Sequence, residues 1–435
     1  VVTSPARDLA VVGAGNMGVS VLGAFLSRGR PCVAIDLDAA KVRELSLGRS
    51  VVPEVGAAEI LARALGEGRL EATTDLARVA GARAVFVAVQ TPYKGADCDY
   101  TALRSVLRDL ARVAPPGQTI VVGSTVFPGG IERELLPELA ARKDLELVYE
   151  PVFLRAGFGI DDYLRPGKLI FGLADPAKPP AALGAIFAPV IEREATFASF
   201  ASAEWIKVVH NAFMSVKVCF ANEVATLCRS FDADVEAVLR ATFEEGPRGR
   251  LMTLSHMLPG PPYSGPCLPK DAIVLGGLLA KHGEPWMRGA SVLEALRTSN
   301  EAYTEHLVLR WIELGRAAKK PLGVIGVAFR ADFNEVRGSL ALPFIRRAKR
   351  DGLPVLAYDP FFEGISPEAH ALAARGDREV EALRETLSHS LEDVWSRSGV
   401  VLLNRRLDAR ERARVSGLAT PLLVDLYGNG WEERA

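Results

Sequence analysis

Ser264-Gly265-Pro266-Cys267-Leu268-Pro269-Lys270-Asp271 places a thiol, an ammonium and a carboxylate side by side, where the pattern predicts a turn entering a helix. A thiol attacks carbonyl carbon as its thiolate, and a helix N-terminus with a neighbouring cation favours that form. The segment also has a plainer reading, because an isolated cysteine is commonly a small buried hydrophobe. A second group lies on Glu204-Trp205-Ile206-Lys207-Val208-Val209-His210-Asn211, which reads as helix. Lys207 and Asn211, four residues apart, share a face. An ammonium and an amide aimed the same way can hold a developing alkoxide or tetrahedral oxyanion, although a solvated lysine beside an incidental asparagine has the same spacing. His210 turns to another face and is read as a packing or surface residue.

A third group opens the chain. Leu9-Ala10-Val11-Val12 runs as a strand into Gly13-Ala14-Gly15-Asn16-Met17-Gly18, a GxGxxG match entering a helix. Gly13 permits the tight turn, Gly15 lets backbone approach a pyrophosphate, and Gly18 allows close packing of helix on strand. A following strand ends at Asp36, about 20 residues on, where a carboxylate accepts from a ribose diol and repels an added phosphate. That combination predicts NAD rather than NADP. Gln90-Thr91-Pro92 and Gly123-Ser124-Thr125 follow two further strands, and ligands of open α/β sheets lie beyond the carboxyl ends of strands. Thr91 and Thr125 are thus candidate cofactor neighbours, or hydroxyls that cap a turn or helix.

These groups need a frame. Strands are predicted at Leu9–Val12, Cys32–Ile35, Ala84–Val89, Thr119–Val122 and Leu145–Tyr149, with amphipathic stretches between them, which implies a mostly parallel, doubly wound sheet. After a short stretch of mostly small residues, Ala198–Ala203, the pattern becomes helical, with a long helix expected from about Ala203 to Ser230 and a domain change near residue 198. Gly260-Pro261-Pro262 breaks the pattern before the cysteine loop, and another helix is expected from Trp286 towards Gly315. Strands return at Leu322–Val327, Val355–Tyr358, Val400–Leu403 and Leu422–Asp425, with a helix at Leu340–Arg350. The fold class expected is α/β, with two Rossmann-like doubly wound domains joined by a helical central domain with a long connecting helix. The boundaries expected are 1–197, 198–315 and 316–435.

Composition narrows the function further. A net charge of −1 with 24% charged residues leaves no broad basic footprint for nucleic acid or an anionic membrane. Cys32, Cys98, Cys219, Cys228 and Cys267 are scattered and odd in number, which argues against a disulfide framework and a structural zinc site. No metal is expected. No apolar run approaches the roughly 18 residues of a membrane span, and Val1–Arg7 lacks a basic region followed by an apolar one. A reducing cytoplasm is the expected location.

Taken together the motifs resemble the nucleotide-sugar dehydrogenase family, whose members oxidise UDP-glucose, GDP-mannose or UDP-N-acetylmannosamine to the uronic acid. The resemblance rests on the Gly13–Gly18 loop, Asp36, Thr91-Pro92, Ser124-Thr125-Val126, Lys207 through Phe213, Asn222-Glu223 and Cys267 through Asp271. It extends to Gly326-Val327-Ala328-Phe329, Arg337 and Tyr358-Asp359-Pro360, all in the family's order.

The resemblance implies a four-electron oxidation of a sugar primary alcohol with two NAD molecules in succession. Lys207 and Asn211 then hold the oxyanion, Asp271 orients or activates a water, and Cys267 attacks the aldehyde to give a thiohemiacetal and then a thioester. Thr125 joins this catalytic set, and Lys270 supports the thiolate and the loop. Cofactor contacts fall to Gly13, Gly15, Asn16, Met17, Gly18, Asp36, Thr91, Pro92, Thr125 and Lys270. Contacts to a nucleoside-diphosphate sugar, of which UDP-glucose is the type expected, fall to Phe153, Leu154, Lys207, Asn211, Arg250, Tyr263, Gly265, Phe329, Arg330 and Arg337. A homodimer formed through the helical middle is also implied.

The chain departs from the family pattern in places. Where the family has Asn-Pro-Glu-Phe-Leu, this chain has Glu150-Pro151-Val152-Phe153-Leu154, and a valine cannot activate the water that hydrolyses a thioester. Glu150, two residues earlier, points to the same side in extended backbone. Phe329-Arg330 replaces Phe-Lys, Ser264-Gly265 replaces paired glycines, and Arg337-Gly338-Ser339 replaces Arg-Glu-Ser. The alternatives are a reaction that stops at aldehyde or thioester, or a nucleotide-sugar-binding homologue without catalysis.

Overall fold

A computed structural model of the chain describes residues 7–94, 97–155, 157–243, 257, 259–265, 267–287, 289, 291–329, 336, 338–362, 383, 386–387, 390–426 and 432–434. It divides into two compact units, Val1–His210 and Asn211–Ala435.

The first unit is built on a sheet of eight strands: β1 (Arg7–Val12), β2 (Cys32–Ile35), β3 (Leu70–Thr73), β4 (Ala82–Val87), β7 (Thr119–Val122), β8 (Glu146–Tyr149), β9 (Leu169–Leu173) and β10 (Ala195–Ser199). Two short strands, β5 (Tyr93–Lys94) and β6 (Asp97–Cys98), form a separate antiparallel hairpin. The sheet order is β10-β9-β8-β7-β4-β1-β2-β3. From β3 to β8 every pair is parallel, and β9 then runs antiparallel to β8. The 3-2-1-4 order puts a strand reversal beside β1, where doubly wound sheets bind dinucleotides.

Strand periodicity produces two cores. Leu9, Val11, Ala34, Phe86 and Val121 fill one face, and Ala10, Val12, Val33, Val85 and Ile120 the other. Helix α1 (Asn16–Ser27) is buried continuously from Gly18 to Leu26, as expected of a helix apolar on every side. Sequence patterning predicted five of the eight strands. β3 and β10 lie at the edges and carry few large apolar residues, so they lack a buried-strand signature. β9 reads Leu-Ile-Phe-Gly-Leu, and the glycine that interrupts the run is sterically required: a Cβ on Gly172 would lie 2.7 Å from the Ala203 side chain.

Helix α6 (Phe200–Ser230) begins immediately after β10. Ala198–Ala203 is therefore the end of a strand and the first turn of a helix. Small residues suit that place because β9 packs closely beneath them. The 31 residues of this helix span roughly 46 Å.

The second unit carries a five-stranded sheet, ordered β12-β11-β13-β14-β15 and built from β11 (Leu322–Ile325), β12 (Val355–Tyr358), β13 (Val400–Leu403), β14 (Leu422–Asp425) and β15 (Glu432–Arg434). Its pairs are parallel except β14 with β15. One face packs Val324, Ala357, Leu402 and Val424 with Trp311 and Phe344, and the other packs Ile325, Tyr358, Val401 and Leu403 with Trp395. The helix predicted from Trp286 runs instead over Val292–Ala318, because Ser291 caps its start by accepting from Leu293 N at 3.2 Å. Among the described residues no helix is long and apolar enough to cross a membrane.

Candidate active site

At the N-terminal loop the three glycines have three separate reasons. Gly13 has φ +99°, and a Cβ there would lie 2.5 Å from the Ala88 carbonyl oxygen. A Cβ on Gly18 would lie 1.8 Å from the Gly13 carbonyl oxygen, so helix and strand can approach only without it. Gly15 has nothing within 4 Å of that position and provides no side-chain cap to α1. Open space above uncapped amides at a helix N-terminus, through Asn16 and Met17, fits a pyrophosphate. Asp36 accepts from Ala14 N at 2.7 Å and Asp38 N at 2.9 Å, with Lys41 Nζ at 3.6 Å. It therefore shapes the loop, a task the motif does not reveal.

The loops after β4 and β7 are laced together. Thr91 donates its hydroxyl to Thr125 O at 3.0 Å, and Ser124 donates to Val89 O at 2.7 Å. Thr91 is buried, Pro92 is exposed, and Thr125 keeps partial exposure.

On α6, Lys207 donates to Val152 O at 2.7 Å, and its Nζ lies 4.8 Å from the centre of the Phe153 ring. Lys168 reaches the same ring at 4.6 Å and contacts His210 Nδ1 at 3.0 Å. Burial lowers the Lys168 pKa. Val152 is packed in the apolar cluster that also holds Tyr163, and Leu154 lies against it. Glu150 is 3% exposed, and the Tyr163 hydroxyl donates to it at 3.0 Å. Desolvation pushes its pKa up to about 8 against the smaller opposing effect of Tyr163. Below that pH the carboxyl is protonated and cannot take a proton from water, so at neutral pH it is no substitute for a carboxylate at position 152.

In the second unit the cysteine loop is held on all sides. Asn222 Oδ1 accepts from Gly260 N at 2.9 Å, and Asn300 bonds both backbone groups of Tyr263. The Tyr263 hydroxyl donates to Leu296 O at 3.0 Å and the ring is buried. Its hydroxyl thus helps hold the loop, a contact the motif does not reveal. Gly265 has φ +83°, donates its N–H to Gly338 O at 2.8 Å, and leaves room for the Phe329 ring, which a Cβ would meet at 2.4 Å. Cys267 is exposed and forms the N-cap of α8 (Leu268–His282), with Asp271 in the first turn.

Asn211 Nδ2 donates to Asp271 Oδ2. Asp271 is 3% exposed, and its other oxygen has no hydrogen-bond partner among the described residues, with Lys270 Nζ at 3.6 Å. A buried carboxylate oxygen left open in this way has acceptor capacity for one more donor. Arg250, Arg330 and Arg337 lie outside the described residues.

Residues 7–191 match the model of the UDP-glucose/GDP-mannose dehydrogenase family, NAD binding domain, and residues 201–302 match the central domain of the same family. The chain belongs to the UDP-glucose/GDP-mannose dehydrogenase family. It is 28% identical over 426 residues to a UDP-glucose 6-dehydrogenase of Haloferax volcanii, covering 94% of this chain and 96% of that one. It is 27% identical over 441 residues to a GDP-mannose 6-dehydrogenase of Pseudomonas putida, covering 97% and 96%. Its fold is that of a UDP-glucose dehydrogenase from Pyrobaculum islandicum, with a TM-score of 0.81, 23% identity and 97% and 94% coverage. This family member is an NAD-dependent oxidoreductase, and the open amides at Gly15 fit that cofactor.

Two features escaped sequence reasoning. Tyr163 has no motif around it and meets Glu150 only through folding. Glu204 left a faint signal, as a carboxylate one turn before Lys207 on a helix otherwise apolar at its start.

Proposed function

We propose that this enzyme oxidises the primary alcohol of a nucleoside-diphosphate sugar, UDP-glucose or a close analogue, to the uronic acid through covalent attachment to Cys267. The supporting observation is the open Asp271 oxygen one helical turn from an exposed thiol: a buried acceptor for a water, beside a nucleophile at a helix N-terminus. NAD, held along Gly13–Gly18 and Asp36, supplies the hydride acceptor for each of two oxidations.

The remaining chemistry belongs to the chain. The alcohol proton passes to a water bonded to Asp271 as the carbon loses hydride. Lys207 and Asn211 hold the oxygen as it gains negative charge. The Cys267 sulfur adds to the aldehyde carbon, giving a thiohemiacetal. Loss of a second hydride, with the hydroxyl proton passing to the water bonded to Asp271, leaves a thioester. Water then cleaves the carbon–sulfur bond, restoring the thiol and releasing the carboxylate. Phe153, Leu154, Tyr263, Gly265, Phe329, Arg330, Arg337 and Arg250 are assigned to substrate, the arginines by their charge to phosphate or sugar.

A second reading rests on Val152, which is buried in hydrocarbon and offers no proton acceptor for the last step. In that case the enzyme accumulates thioester or releases aldehyde. A panel of UDP-, GDP- and dTDP-sugars with NAD separates the two. Two NADH per sugar with the mass of the acid supports full oxidation, and one NADH with the aldehyde mass supports the second. Absence of NAD reduction with every sugar would sink both.

We further propose three domains at the boundaries set out above, a cytoplasmic location in keeping with five cysteines that form no disulfide among the described residues, and a homodimer. Trp205, Val209, Phe213, Phe220 and Leu227 are 43% to 63% exposed, and at 3.6 residues per turn they fall within one arc of roughly 80°. Lys207 and Asn211 lie on the opposite side of the helix. A long exposed apolar stripe marks an association surface, and the occupant proposed is a second copy. Val209→Glu with Leu227→Glu should halve the mass seen by light scattering. An unchanged mass would remove this assignment.

A further inference from the structure

Glu204 is 1% exposed, yet it is a carboxylate at the start of a long helix. Both of its oxygens are used: Oε2 accepts from Gly129 N at 2.7 Å and Oε1 accepts from Ile131 N at 2.8 Å. Those amides lie just beyond the loop that follows β7 and carries Thr125. The same loop is fastened elsewhere by neutral groups, Thr91 on the Thr125 carbonyl and the Tyr100 hydroxyl on Phe127 N at 2.9 Å. Three residues after Glu204, on the same helical face, stands Lys207, bonded to the carbonyl that follows β8. One turn of α6 is therefore pinned to two adjacent strand ends, at one by Glu204 and at the other by Lys207.

We propose that Glu204 is a positioning residue that fixes the Thr125 loop against the Lys207 helix, so that the cofactor-facing hydroxyl and the oxyanion-holding ammonium keep one spacing. A carboxylate suits the task because it accepts two backbone N–H bonds at once. A carboxamide of the same shape offers one acceptor and sets its NH2 against the second amide, which is then a buried donor without a partner. Burial raises the Glu204 pKa while the two amides lower it, so the ionised form depends on both bonds being made. The inference rests on the roles given to Thr125 and Lys207 above, but its first readout needs no sugar.

The test is Glu204→Gln in the full chain, followed by NADH fluorescence titration, thermal melting and turnover with UDP-glucose and GDP-mannose. The expected result is NADH binding weakened about fivefold or more in protein that is still folded. On whichever sugar the unmodified enzyme turns over, kcat should fall roughly 10- to 100-fold. A merely structural carboxylate would lower the melting temperature and leave the NADH affinity of the folded molecules unchanged. NADH affinity weakened by less than about fivefold would overturn the proposal. If neither sugar is turned over by the unmodified enzyme, the substrate assignment fails while the NADH titration still decides the case of Glu204.

Discussion

Cys267→Ser should reduce NADH formation from the cognate sugar by about a thousandfold or more in steady state. A hydroxyl at the N-cap of α8 occupies the same place as the thiol. Its proton, however, is lost at far higher pH, and an alkoxide leaves an acyl group much less readily than a thiolate. On the mechanism proposed above, Lys207 and Asn211 still hold oxyanion in the variant, so the first hydride transfer survives better than the second. The informative measurement is a single-turnover trace with enzyme in excess. Two equivalents of NADH from the unmodified enzyme and no more than one from the variant is the expected pattern. Two equivalents from both would show that sulfur takes no covalent part. Asp271→Asn separates the water from the nucleophile: it removes the open acceptor and slows the first equivalent as well.

Glu150→Gln should stabilise the protein, and increasingly so as pH rises from about 5 to 8. The Glu150 carboxyl titrates at about 8 in the folded protein because it is buried, whereas in the unfolded chain it titrates near 4.3. Between those values the unfolded state has lost the proton and the folded state keeps it, so the unfolded state binds fewer protons and stability falls with rising pH. The full penalty, on the order of 3–5 kcal/mol, is present at pH 8 and absent below the unfolded pKa. A glutamine keeps the acceptor for the Tyr163 hydroxyl and removes the titration. At pH 8 the variant should melt several degrees higher than the parent, with the gap closing towards pH 5. A gap that is the same at both values would mean that Glu150 is already ionised in the folded molecule.

Much of the cofactor site was legible because its signals are local. The glycine spacing, the strand ahead of it and the aspartate closing the next strand are dictated by turn geometry and by backbone approach, which act over a few residues. Lys207 with Asn211, and Cys267 with Asp271, were readable for the same reason, since helix periodicity puts residues three or four apart on one face. The strands that went unread, β3 and β10 at the sheet edges and β9 with its glycine, lacked the apolar runs that mark fully buried strands.

The sequence alone therefore determined the groups available: which thiol, which cations and which carboxylate lie on which element, and that a glycine-rich turn joins β1 to the helix after it. Tertiary structure decided the state and task of each group, because protonation and hydrogen bonding depend on neighbours distant in sequence. Glu150 is neutral at pH 7 because folding buries it against Tyr163. Tyr263 spends its hydroxyl proton on the Leu296 carbonyl. Glu204, unremarkable in a helical run, is the carboxylate that joins the Thr125 loop to the Lys207 helix because two amides some 75 residues earlier are brought within 2.8 Å of it.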